Sequence, residues 1–457
     1  MDEQKSELKK WLGEKREELL RDLADLVKIP SVAGPPEAGE KRAPFGRACR
    51  EALERMRAMA ERDGIPSTDH EGYCVSLQVG DGGREIGIWN HLDVVPAGED
   101  WRYPPFALTV KGDLLIGRGA QDNKGPAAAV YYALRFCQEY GLLRNIRVRQ
   151  ILGCQEEAGM EDVRYYVEHE KVPDFSFVAD CSFPVCCGEK GILRLTLQST
   201  ERLGAFEALQ GGVAANSVPD RAQAVFADGE ERVCVEAAGQ SGHAAFPEGT
   251  TNAIGVLARK LVAYPWEERE KRAVDFLRRA ASDGYGEGLG ITFEDEASGK
   301  LTCNAGKVWM EDGFLKLCLD SRYPISDNAQ RLLEILAEQA AACGLAITET
   351  HDDRPYYMEP EQPFVRLLME AWREETGGKE QPYVMGGGTY ARHIPRTVGF
   401  GTGMARDIAP LQLPPGHGGC HSADETESLR NLQKAICIYV NALTKLDKWS
   451  ETGAGER

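Results

Sequence analysis

The chain has 457 residues, 42% apolar and 28% charged, with 54 basic and 72 acidic side chains and a net charge of −18. That is room for two or three domains of ordinary globular composition. So acidic a chain argues against nucleic acid or an anionic membrane as partner, and no run of apolar residues approaches the length of a membrane span.

Met1 to Lys28 has no apolar core of the kind a secretory leader carries, so none is expected. The 13 cysteines are scattered, odd in number and without CxxC spacing. Reduced thiols and a cytoplasmic location follow as expectations, with Cys181, Cys186 and Cys187 read as packing residues.

Glu7 to Val27 carries apolar residues at helical spacing, and Ile29-Pro30 ends that helix because the residue before proline avoids the helical region. Arg47 to Asp63 reads as a second amphipathic helix. Tyr73 to Val79 and Glu85 to Asn90 are short apolar runs near glycine and read as strands. Lys124 to Glu139 is an Ala-rich helix, and Asn145 to Cys154 and Phe175 to Ala179 are strands. Strands alternating with helices predict an α/β domain with a mostly parallel sheet. After Gly188 the pattern changes. Gly191 to Ser199, Arg221 to Ala227 and Arg232 to Gly239 alternate like strands with one face in solvent. Phe314 to Asp320 reads as another strand, and Thr251 to Val262 and Asn328 to Cys343 as helices. This predicts an α+β module over residues 189–354, inserted between two halves of the first domain, 1–188 and 355–457. Pro360 to Thr376, Thr397 to Gly401 and Asn431 to Leu446 resume helix–strand–helix character.

The chemistry sits at the ends of these runs. Residues two apart on a strand point the same way, so His91 can bind a metal while Asp93 holds its other ring nitrogen. Gly117 to Pro126 sets Asp122 at a tight turn before a helix. There it is either an N-cap or a carboxylate bridging two metals, among glycines that allow close backbone approach. Glu156-Glu157 follows an apolar strand, where both charges need partners. Neighbouring side chains diverge, so Glu157 reads as a ligand. Glu156 reads as the general base that takes a proton from metal-bound water and returns it to the leaving amine. Asp180 ends a strand and suits a terminal ligand beside His91, or a plain turn residue. His421 completes the other metal with Glu157, and His417, in a Gly-Pro turn, competes for that place. The set holds one candidate for every role in a two-zinc hydrolase site, and manganese or cobalt suits the same donors.

Taken together, the segments His91-Leu92-Asp93-Val94-Val95-Pro96-Ala97-Gly98, Gly117 to Pro126, Glu156-Glu157 and His421-Ser422-Ala423-Asp424-Glu425 resemble the di-zinc aminoacylase/carboxypeptidase-type exopeptidases. Within them the match is to the PepV-like bacterial dipeptidases, over nearly the whole length. The resemblance implies a cis peptide bond after Asp122 and an Asp where Asn123 stands here. It implies that the inserted module is a lid, with Asn216 and His243 facing substrate and His243 bonding the developing oxyanion. Arg322 would grip the substrate's C-terminal carboxylate, and the Gly387-Gly388-Thr389 loop would cradle it. Read alone, Asn216 and His243 are loop residues, Arg322 a surface ion pair and the glycines a flexible turn.

The expectation is a zinc-dependent dipeptidase with two Zn2+ per chain. It would cleave unblocked dipeptides through a metal-bound hydroxide, with Glu156 as base. The size of the lid resembles that of monomeric members and implies a monomer in preference to a homodimer. The same motifs suit an N-acyl amino acid deacylase of aminoacylase or deacetylase type. A non-catalytic binding protein of the same fold is disfavoured, because every ligand position and Glu156 are filled.

Overall fold

A 26-residue helix, Asp2–Val27, opens the chain and stops at Ile29-Pro30, in a computed structural model that describes residues 2–36, 39 and 42–451. Its buried stripe of Leu8, Leu12, Leu19, Leu23 and Leu26 packs on the helix Lys124–Glu139. That second helix is buried along most of its length because its residues are small (Ala127, Ala128, Ala129) or aromatic (Tyr131, Tyr132). The chain packs into two units. One comprises Met1–Cys187, Met358–Tyr383 and Thr389–Arg457; the other comprises Gly188–Tyr357 and Val384–Gly388. Among the described residues no helix is long and apolar enough to cross a membrane.

The sheet of the first unit runs in the order Ser67–His70, Cys74–Val79, Ile146–Gly153, Arg84–His91, Phe175–Val178, Thr397–Phe400 and Val185–Glu189, the strand on which the chain leaves the unit. Its four central strands, Ile146–Gly153 to Thr397–Phe400, are mutually parallel. The flanking strands pair antiparallel. The sheet is therefore mixed, and a mostly parallel arrangement describes only its centre. The reason at one edge is local: Glu71 and Gly72 both take positive φ, 52° and 82°, which makes the two-residue turn of a hairpin. A hairpin cannot join parallel strands.

The centre of this sheet positions the chemistry. Arg84–His91, Ile146–Gly153 and Phe175–Val178 are adjacent and point the same way. Their carboxyl ends therefore deliver His91, Glu156-Glu157 and Asp180 to one edge. Ligands of open α/β sheets bind at that edge.

The second unit is a seven-stranded antiparallel sheet, in the order Glu231–Ala238, Arg221–Asp228, Phe206–Gly211, Thr302–Glu311, Phe314–Tyr323, Gly191–Ser199 and Leu345–Asp353. Leu195 and Leu197 lie opposite Leu319 and Leu317. They pack in one core with Leu257 and Leu261 of the helix Ala253–Leu261, Phe276 and Leu277 of Glu268–Ala280, and Leu332 and Leu336 of Ala329–Ala342.

Candidate metal centre

His91 ends its strand almost wholly buried. Its Nδ1 lies 3.0 Å from the Asp93 carbonyl oxygen and 3.3 Å from Asp93 Oδ1. Both are acceptors, so the Nδ1 proton is fixed there and Nε2 is presented outward. Nε2 faces Asp122 Oδ1 at 3.0 Å and Asp180 Oδ2 at 3.4 Å. Asp93 does a second task. Its two carboxylate oxygens accept the backbone N–H groups of Glu156 (3.2 Å) and Glu157 (3.0 Å), which ties the acidic pair to the histidine strand.

Asp122 is held by a carboxylate far away in sequence. Glu425 Oε1 accepts the backbone N–H groups of Gly119, Gln121 and Asp122 at 3.0, 2.8 and 3.0 Å, and its Oε2 takes Arg118 Nη1 at 2.7 Å. The Asp122–Asn123 bond is cis. At Gly125 a Cβ would run into the Ala120 carbonyl, so the tight turn needs glycine there. Asp122 is thereby aimed so that its second oxygen, Oδ2, lies 3.1 Å from His421 Nε2. That same Nε2 is 3.0 Å from Glu157 Oε1. His421 reaches the cluster from a loop and adopts φ +61°, a left-handed conformation uncommon outside glycine.

The acidic pair forms the start of a single 3-10 turn, Glu156–Ala158, after the strand Ile146–Gly153. The buried carboxylate of Asp162 accepts the N–H groups of Cys154 and Gln155, both at 2.7 Å, and the Tyr390 hydroxyl. Glu156, His91 and Asp180 bring ligand atoms within 4.8 Å of one another, as do His91, Asp122 and Glu157.

The donor set fits two cations. A tetrahedral ion with bonds of about 2.1 Å has donors about 3.4 Å apart. His91 Nε2 lies 3.0 and 3.4 Å from Asp122 Oδ1 and Asp180 Oδ2 on one side, and His421 Nε2 lies 3.1 and 3.0 Å from Asp122 Oδ2 and Glu157 Oε1 on the other. The electrostatics agree. Burial opposes charge on His91, but the carboxylates of Asp180, Asp122 and Asp93 overcome it and hold the imidazole's pKa well above its ordinary value. Asp122 and Glu157 push His421 up to about 11. Burial raises Glu156 and Glu157 above the ordinary carboxyl range. It acts the same way on Asp122, but hydrogen bonds from His421 and His91 win and lower it. Carboxylates crowded around two imidazoles are surroundings that favour bound positive charge.

His417 does not share in this. Its Nδ1 lies 2.7 Å from Asp424 Oδ2, and Asp424 Oδ1 accepts the N–H groups of Arg102 and Tyr103. In the second unit, the N–H of Ala244 bonds the Asn216 carbonyl at 2.9 Å, which joins the two loops that carry Asn216 and His243. The N–H of Ala245 is donated to His243 Nδ1 at 3.2 Å, leaving the ring proton on Nε2. Arg322 is buried, not a surface residue. Its Nε and Nη2 pair with Asp320 at 2.5 and 3.0 Å, and Nη1 donates to the Gly386 carbonyl at 3.0 Å. Gly387 and Gly388 belong to the second unit and Thr389 to the first, where its hydroxyl caps the turn Tyr390–His393. Sequence reasoning assigned no role to Glu425, Asp162 or Arg118. The signal each offered was a charge set in an apolar or glycine-rich stretch.

A model of peptidase family M20/M25/M40 matches residues 87–445. The Beta-Ala-Xaa dipeptidase of Lactobacillus delbrueckii subsp. lactis is 29% identical to this chain over 469 residues, which covers 96% of this chain and 97% of that protein. Among solved structures, human carnosine dipeptidase 1 superposes with a TM-score of 0.61 at 15% identity, covering 97% of this chain and 99% of that one. The dipeptidase Dug1p of Saccharomyces cerevisiae gives 0.60 at 12% identity, with 98% and 99% covered. At those identities the structural likeness speaks for the fold.

Proposed function

The chain belongs to peptidase family M20/M25/M40, and on that premise we propose that it is a zinc-dependent dipeptidase cleaving unblocked dipeptides at a dinuclear site. One observation carries the reading: Asp122 presents one oxygen to His91 at 3.0 Å and the other to His421 at 3.1 Å. His91 and Asp180 would hold one cation, Glu157 and His421 the other, and Asp122 both. When bound, two divalent cations supply an acidified water and a polarised scissile carbonyl.

The remaining steps belong to side chains. Glu156 is half-buried beside His91 and Asp180, and desolvation raises its affinity for a proton. It takes the proton of the attacking water and returns it to the leaving amine. Asp93 keeps the His91 tautomer that leaves Nε2 open to a ligand role. For the second unit the proposal follows the resemblance. His243, with its proton on Nε2, donates to the developing oxyanion, and Asn216 faces substrate. Arg322, three of whose five N–H groups are engaged by Asp320 and Gly386, takes the C-terminal carboxylate together with the Gly387-Gly388-Thr389 loop. The Lactobacillus relative, a Beta-Ala-Xaa dipeptidase, supports a dipeptide as substrate. The scattered cysteines, odd in number and without CxxC spacing, add a cytoplasmic location to the reading, and the resemblance adds a monomer.

The test is metal content with hydrolysis of unblocked and N-acetylated dipeptides, on wild type and Glu156→Ala. We expect about two metals per chain, release of amino acids from unblocked substrates only, and loss of turnover with metal retained in the variant. Turnover confined to N-acylated substrates would replace the dipeptidase by a deacylase of the same fold.

A further inference from the structure

Three buried amides lie behind the ligand carboxylates and take no part in the chemistry above. Gln150 Nε2 donates to Asn90 Oδ1 at 3.1 Å, Asn90 Nδ2 to Asn123 Oδ1 at 2.6 Å, and Asn123 Nδ2 to Asp180 Oδ1 at 2.7 Å. All three are at most 1% exposed. The direction of the chain is forced by groups that can only accept. The Ala127 carbonyl takes Gln150 Nε2 at 2.9 Å, and the Ala179 carbonyl takes Asn123 Nδ2 at 2.8 Å and Asn90 Nδ2 at 3.3 Å. With each NH2 group fixed on a carbonyl or carboxylate, the Asn90 and Asn123 amide oxygens each receive the hydrogen of the amide before them, while Gln150 Oε1, at the head of the run, accepts none among the described residues. The run is head to tail and ends on a ligand.

Its effect on Asp180 follows. Oδ1 is occupied by the Asn123 amide, while Oδ2 is the oxygen that faces His91 Nε2 at 3.4 Å. We infer that Asn123 is a positioning residue that restricts Asp180 to a one-oxygen ligand of the His91-side cation, held in orientation by Asn90 and Gln150. The inference rests on the dinuclear reading of the site. An Asp at this position would have no hydrogen to give when ionised and would set a second negative charge against Asp180. Asn123 supplies the donor without that charge. Outer hydrogen bonds of this kind change metal affinity by about tenfold or more when removed.

The experiment titrates metal-free wild type and Asn123→Ala with Mn2+ by calorimetry, alongside melting of the metal-free proteins. Wild type should bind two cations per chain. The variant should bind one of them at least about tenfold more weakly and keep the other within about threefold. Asn123→Ser, which keeps a polar group but is too short to reach Asp180, should behave the same way if the alanine variant does not fold. Unchanged constants with a lowered melting temperature would assign Asn123 a purely structural role and overturn the inference. An equal loss at both sites would overturn it as well. Wild type that binds no Mn2+ would instead refute the dinuclear reading on which the inference stands.

Discussion

The Glu425 carboxylate accepts the backbone N–H of Asp122 at 3.0 Å across a sequence separation of 303 residues. With Gly119 and Gln121 donating to the same oxygen, one side chain sets the turn that presents the bridging candidate. Its other oxygen neutralises Arg118, itself buried. Glu425→Ala should therefore cost about 3–5 kcal/mol in chemical denaturation, because it strands a buried guanidinium as well as three N–H groups. Adding Arg118→Met should recover part of that loss. A single variant within about 1 kcal/mol of wild type would show that the turn holds its shape without Glu425.

Gly153 sits where the strand hands over to Glu156 and Glu157. A Cβ there would overlap the Tyr390 hydroxyl and Asp162 Oδ2, the group that holds the N–H of Cys154 and Gln155. Gly153→Ala should cost about 1–3 kcal/mol by overpacking and should also weaken metal binding, since the displaced carboxylate anchors the acidic turn. Thermal melting reports the first effect and cation titration the second. Normal melting with normal metal affinity would mean that the strand end has room to shift.

The two loop histidines should separate cleanly. His417→Ala removes the partner of Asp424 but no ligand, so it should cost about 1–3 kcal/mol and leave the metal content at the wild-type value. His421→Ala should lose one cation per chain, because its Nε2 faces both Asp122 and Glu157. Elemental analysis of the two purified variants checks this. Metal loss in His417→Ala would transfer the ligand role to it.

What was legible in the sequence was the set of groups at strand ends. A charge at or just past the end of an apolar run has to be paired, and His91 ends one of three adjacent parallel strands while Glu157 and Asp180 follow the other two. What was not legible was the scaffolding, because its partners are backbone groups brought in from elsewhere. Glu425 and Asp162 read as ordinary acids until the N–H groups they accept are in place. Arg322 reads as exposed because nothing local announces that Asp320, two residues before it, folds back on its guanidinium. The helix Glu268–Ala280 went unread because charges interrupt its apolar stripe, and Leu345–Asp353 because it is an edge strand whose side chains are mostly exposed and polar. Both are elements that tertiary packing selects from a weak local pattern.

Proton release gives the final prediction. In the metal-free protein His421 is pushed up to about 11 by Asp122 and Glu157, and the surrounding carboxylates raise His91 as well. For each imidazole the folded pKa lies above the unfolded one. The pairing therefore stabilises the metal-free fold fully below the ordinary histidine pKa, and that contribution is lost as pH rises through the folded value, about 11 for His421. Cation binding needs neutral imidazoles and ionised carboxylates, so across this window loading must expel protons, including one from Glu157 wherever burial keeps it protonated. Apparent affinity should rise with pH by up to about tenfold per unit for each proton released. At pH 8, titration with Zn2+ in buffers of different ionisation enthalpy should give heats that differ in proportion, corresponding to at least about one proton per chain. His421→Ala should release fewer. Equal heats in all buffers would mean that the histidines are already neutral before the cations arrive, and the carboxylate pairing would then not control their protonation.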